Sequence, residues 1–143
     1  MRFRAFTLME LVFVIVLLGI FAALALPKFA QSLNQADLTN LKSKVSAIRS
    51  GIEVYKNKHI LLGEDPLPDT LDSDSTHLFG KVLSRSVTPC SDRGCWMKSN
   101  GVYRYYFADG KYIAFTYDSD TGEFACDSDK STIDDAETIC DNF

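Results

Sequence analysis

The chain has 143 residues, 46% of them hydrophobic and 24% charged, with a formal net charge of −4. That length is one domain's worth of protein. The charge is uneven: residues 118–143 hold nine acids against Lys130 alone, which argues against a nucleic-acid footprint and raises the question of a cation.

The chain opens on an apolar run. Residues 6–26 number 21 and carry only Thr7 and Glu10 as polar side chains. As an α-helix they rise about 31 Å, matching a hydrocarbon core of about 30 Å. Arg2 and Arg4 precede the run and Lys28 is the first cation after it, so the start is expected to stay in the cytoplasm and the rest to be exported. A cleaved secretory signal is a poorer fit, because its apolar stretch is shorter and residues 24–27, Leu-Ala-Leu-Pro, make a poor small-x-small site. Glu10 is the anomaly. At the centre of a spanning helix a carboxylate costs about 2.5 to 3.5 kcal/mol, less near an end, so it needs a partner or a purpose.

The string Arg-Ala-Phe-Thr-Leu-Met-Glu-Leu, residues 4–11, resembles the processing signal of the type IV pilin and type II secretion pseudopilin superfamily. There a short basic leader and a small residue precede a cut, then Phe-Thr-Leu-x-Glu opens a hydrophobic helix. Here the leader is 1–5 with Arg2, Arg4 and Ala5, and the motif is Phe6, Thr7, Leu8, Met9 and Glu10. Ala5 stands where the family usually has glycine. Pro27, 21 residues after Phe6, falls where the family's stalk helix often carries a proline. The resemblance implies cleavage between Ala5 and Phe6 by a prepilin peptidase, N-methylation of Phe6, and a Glu10 matched by the N-terminal amine of a neighbouring copy during assembly. It also implies a filament of like subunits and other pseudopilins, an assembly platform with its ATPase, an outer-membrane secretin, and a head in the periplasm or at the cell surface.

Pro27 cannot donate to residue 23, and with Gly19 upstream it makes the helix deformable. Beyond it Phe29, Leu33, Leu38, Leu41, Val45, Ile48, Ile52, Tyr55 and His59 recur at mostly three and four residues, predicting an amphipathic helix to about Lys58. Lys42, Lys44, Arg49, Lys56 and Lys58 form its expected solvent face. The predicted organisation is a leader over 1–5, a membrane and assembly helix over 6–26, a stalk helix over 27–60 and a head over 61–143.

In the head, residues 63–76 read as a Pro- and Asp-rich loop and 77–84 as a short helical piece. Cys90, Cys95, Cys126 and Cys140 suggest two disulfides in an exported domain, with three connectivities possible; the local pairs 90–95 and 126–140 are favoured because each closes a short loop. Zinc is the poorer reading, since neither spacing is C-x2-C and neither histidine lies near a cysteine. Trp96 is expected in the core. Strands are predicted over 102–108, 111–117 and 123–126, the first two joined by a two-residue turn at Asp109-Gly110. The fold class is α+β: a long N-terminal helix packed on a small antiparallel sheet, which suits the family. Residues 118–123, Asp-Ser-Asp-Thr-Gly-Glu, lack the spacing of an EF-hand and read as a hairpin turn with solvated acids. By resemblance to the major pseudopilins, Asp118, Asp120, Asp127 and Asp129 are candidate calcium ligands.

No enzyme is visible: the histidines lack a paired nucleophile, there is no phosphate-cradling glycine loop, and oxidised cysteines are inert. The leading expectation is a structural filament subunit. Its alternatives are a DNA-uptake pseudopilin and a permanently anchored periplasmic binding domain.

Overall fold

In the computed structural model, residues 8–107 and 110–143 are described, the side chains of 22–34 excepted. The elements are α1 (Leu8–Leu62), β1 (Trp96–Ser99), β2 (Val102–Tyr106), β3 (Tyr112–Tyr117), β4 (Phe124–Asp127) and α2 (Ala136–Cys140). Contacts divide the chain into two compact units, one ending at Ala36 and the other Asp37–Phe143. The backbone is helical through position 27, while Ala5, Phe6, the side chain of Pro27 and the turn residue Asp109 lie outside what is described.

In the second unit α1 packs on an antiparallel sheet of order β1-β2-β3-β4. Leu41, Val45, Ile48 and Ile52 are each no more than 2% exposed, so the three-and-four spacing does form the buried stripe. They meet the sheet side chains that alternate onto the same face. Tyr103 lies opposite Phe115 and Tyr105 opposite Ile113, all buried. Aromatic rings close the core: Phe115 stacks on Phe124 at 5.2 Å, and Trp96 meets Tyr105 edge-on at 5.3 Å. Such pairs add roughly 0.5 to 1.5 kcal/mol each to the burial of their area.

Several expectations are corrected. The sheet has four strands, because Asn100 and Gly101 both take positive φ, 50° and 79°, and turn β1 into β2 with Ser99 opposite Val102. Asn-Gly suits such a primed hairpin turn. The helix runs past Lys58 to Leu62 and ends where Gly63, at φ +71°, caps it. The N–H of Gly63 donates to the carbonyl of Ile60 and that of Glu64 to the carbonyl of His59, the paired bonds of a Schellman end.

Residues 77–84 are not helical. Leu78 instead pairs with Val87, and Phe79 stands at φ +58°, a conformation closed to a continuing right-handed helix. Between β2 and β3 the Phe107 N–H donates to the Lys111 carbonyl at 2.8 Å and Gly110 stands at φ +72°; the predicted two-residue turn lies partly outside the described residues. The helix α2 was not anticipated.

Both local disulfides are present, Cys90–Cys95 and Cys126–Cys140. The first holds the loop before Trp96, which is 1% exposed. The second ties β4 to α2, so the acidic segment lies along the sheet. There Thr132 N–H donates to the Tyr112 carbonyl at 2.9 Å and the Ser131 hydroxyl accepts from Ala114 N–H at 2.9 Å, continuing the ladder on β3 beyond the end of β4.

Candidate assembly site

From Leu8 to Phe21 every described side chain of α1 is exposed, and the large apolar ones range from 40% for Val14 to 79% for Leu8 and Met9. They face all sides of the helix. A helix apolar all round needs lipid or other helices around it. Among the described residues no stretch is long and apolar enough to cross a membrane, and the expected span, 6–26, lies partly outside them. Glu10 sits in the first turn of α1 and is exposed. The result is an apolar cylinder bearing one carboxylate at its described beginning.

The head's polar chemistry is mostly spent on its own architecture. Lys44 and Arg49 do not belong to a solvated face. Lys44 Nζ donates to the Gly94 carbonyl at 2.8 Å and lies 4.9 Å from the centre of the Tyr105 ring. Burial draws its ammonium below the ordinary lysine value, against the opposing pull of Asp37. Arg49 donates through Nε and Nη2 to the Phe124 carbonyl, at 3.0 and 2.9 Å, and through Nη1 to the carbonyl of Phe143. It thereby covers part of the exposed edge of β4.

The four candidate calcium ligands are not gathered. Asp118 Oδ1 accepts the N–H groups of Asp120 and Thr121 at 2.8 and 3.3 Å, bonds that hold its carboxyl below the usual range. Asp127 accepts Lys130 Nζ at 2.6 Å and is likewise lowered, chiefly by that bond. Among the described residues no three His, Cys, Asp or Glu side chains form a cage for a metal ion. Each lowered carboxylate stabilises the fold above its unfolded pKa and ceases to as pH falls through the folded value.

Known proteins with similar sequences point to a family. The chain is 41% identical over 54 residues to the type IV narrow pilus major component PilA5 of Thermus thermophilus, covering 38% of this chain and 47% of that one. It is 32% identical over 87 residues to a fimbrial protein of Pseudomonas aeruginosa, 57% of this chain and 56% of that one. With the type II secretion system core protein G of Dickeya chrysanthemi it shares 38% over 92 residues, 64% of this chain and 54% of that one. These relatives are type IV pilins and type II secretion proteins, and the similarity supports the type IV pilin and pseudopilin superfamily. The chain spans about half the length of these three relatives, which are named as pilus, fimbrial and secretion-system components and not as enzymes. No family model and no solved structure matches it.

In the head, reasoning from sequence missed Arg49 as a clamp, because its partners are main-chain carbonyls, which leave no mark on residue identity. We expect Arg49→Met to cost about 2 kcal/mol, the worth of charge-assisted bonds. The amides of α2 would exchange with solvent at least about tenfold faster while the Cys126–Cys140 bridge stays closed. Unchanged exchange there would remove the clamp from the account.

Proposed function

We propose that the chain is a structural subunit of a type II secretion or type IV pilus-like filament. It is held by residues 6–26 in the bacterial inner membrane, N-terminus in the cytoplasm and head in the periplasm, until it is drawn into the filament. The carrying observation is the opening of α1, exposed and apolar on every side with Glu10 in its first turn. Lipid satisfies that surface before assembly and the helices of other copies satisfy it afterwards. A carboxylate on it is stabilised only by an opposite charge in the same apolar surroundings.

The charge we assign is the N-terminal amine of a neighbouring copy, released when a prepilin peptidase cuts between Ala5 and Phe6, with methylation of Phe6. The platform protein and ATPase of such systems supply the work of extraction. The relatives' names support this reading, as do the paired arginines ahead of the apolar run. Intact mass and N-terminal sequence of the protein taken from membranes of its native host test it: the expected chain starts at methylated Phe6, and a retained leader would leave a permanent anchor instead.

A further inference from the structure

The head presents an apolar hole and an apolar knob at different places. The hole, about 120 Å³, is lined by Ala47 and Ile48 of α1, Phe79, Leu83 and Val87 of the loop before β1, and Trp96. A dry space of about 150 Å³ accepts benzene, so this one suits a single aliphatic side chain. The knob is Ile60, Leu61 and Leu62, which stay 55%, 87% and 59% exposed where α1 ends. Leu61 lies thirteen positions beyond Ile48 on the same helix, about 20 Å along its axis, so a chain cannot fill its own hole.

Charge follows the same division. Exposed Glu64 and Asp65 come directly after the knob, whereas Lys44 lines the hole and exposed Lys81 and Arg85 stand on either side of Leu83 in the loop over it. Glu64 is already engaged with His59 Nδ1 at 2.8 Å, which leaves Asp65 to face the cations. We infer that the hole receives Leu61 of a second copy of this chain, with Asp65 of that copy set against Lys81 or Arg85. Knob against knob would bring like carboxylates together, so the charges select the head-to-tail orientation. A contact between two different patches of identical chains runs on from copy to copy, as a ring or an open helical array, instead of closing as a pair; in a filament it is the open array. The inference rests on the reading of the chain as a filament subunit and adds a contact between heads to the one made by the N-terminal helix.

Filaments of the full chain carrying Leu61→Cys together with Ala47→Cys, treated with a short bis-maleimide, are expected to yield a ladder at multiples of the chain mass. Leu61→Cys with Asp120→Cys should yield none. Leu61→Asp should lower filament yield about tenfold. Asp65→Lys should also lower it, and adding Lys81→Asp with Arg85→Asp should restore it. Linked dimers without higher multiples, a ladder from the control pair, or attachment of position 47 to a protein of another mass would each overturn the contact. So would full yield from Leu61→Asp. Filaments that form without the ladder leave the subunit reading standing; if the unmodified chain forms no filament, both readings fall.

Discussion

Replacing Glu10 by alanine is expected to leave a protein that is inserted and cut normally but depleted from filaments by at least a hundredfold. The argument is one of sign. A carboxylate on an apolar helix is a cost while the subunit lies in lipid, about 2.5 to 3.5 kcal/mol at the membrane centre and less near the end. Removing it makes insertion easier, so a failure to assemble cannot be blamed on a failure to insert. On the proposed reading, the same group faces a released amine in the filament, where water is scarce. Two unit charges 4 Å apart at an effective dielectric of 20 attract by about 4 kcal/mol. Net of residual desolvation, about 3 kcal/mol per subunit contact corresponds to a little over a hundredfold in association.

Glu10→Gln separates charge from shape. It keeps the length and volume of the side chain, so if charge pairing is the cause it should behave like Glu10→Ala. Glu10→Asp keeps the charge but shortens its reach and should fall between. The measurement is the quantity of subunit in sheared or sedimented filaments relative to processed subunit in the membrane. Normal filaments from Glu10→Gln would sink the pairing, whatever the alanine variant does.

What could be read in advance follows from where the physical signal sits. Leu41, Val45, Ile48 and Ile52 announce a buried face because helical spacing is itself the cause of their burial. The aromatic alternation of β2 and β3 is legible for the same reason, with period two. Asn100-Gly101 was equally explicit and went unread as a hairpin only because the strand before it, β1, is short and follows a loop full of turn residues. Lys44, Arg49 and Asp72 are different. Each looks like its solvated neighbours in sequence, since a basic residue on a helix or an aspartate in the acidic loop 63–76 is ordinary surface composition. Their partners, a carbonyl or a lysine 26 positions away, exist only once the loop has closed over the sheet. Phe79 shows the limit most plainly: its apolar character suggests a short helix, and its positive φ is imposed from outside, by Asp72.

That dependence makes Asp72 the residue whose loss should damage the head most. It is 6% exposed and serves several donors at once. Its Oδ1 accepts the Phe79 N–H at 2.9 Å, fixing the left-handed turn, while Oδ2 accepts Lys98 Nζ at 2.6 Å, the Tyr103 hydroxyl at 3.0 Å and the Thr70 hydroxyl at 3.3 Å. Burial alone would pull the Lys98 ammonium below its ordinary value, but the bonds to Asp72 and Tyr103 outweigh it and hold it above. A raised lysine contributes fully below its unfolded pKa and loses that contribution as pH rises through the folded one, so the pair persists at neutral pH and fades only in strong alkali.

Asp72→Ala strands the buried Phe79 N–H and removes the carboxylate that the Tyr103 and Thr70 hydroxyls and the Lys98 ammonium share. The expected cost is about 4 kcal/mol, within the range for breaking a buried pair, and it should lower the melting temperature of the head by at least about 15 °C. Lys98→Met should cost only about 1 kcal/mol, because Asp72 keeps three donors and the lysine side chain is 28% exposed to begin with. The asymmetry is the test in thermal denaturation of the full chain. Equal losses from the two variants would mean that ion pairing governs the site; a large loss from Asp72→Ala alone would identify the carboxylate's grip on Phe79 and Tyr103 as what sets the loop on the sheet.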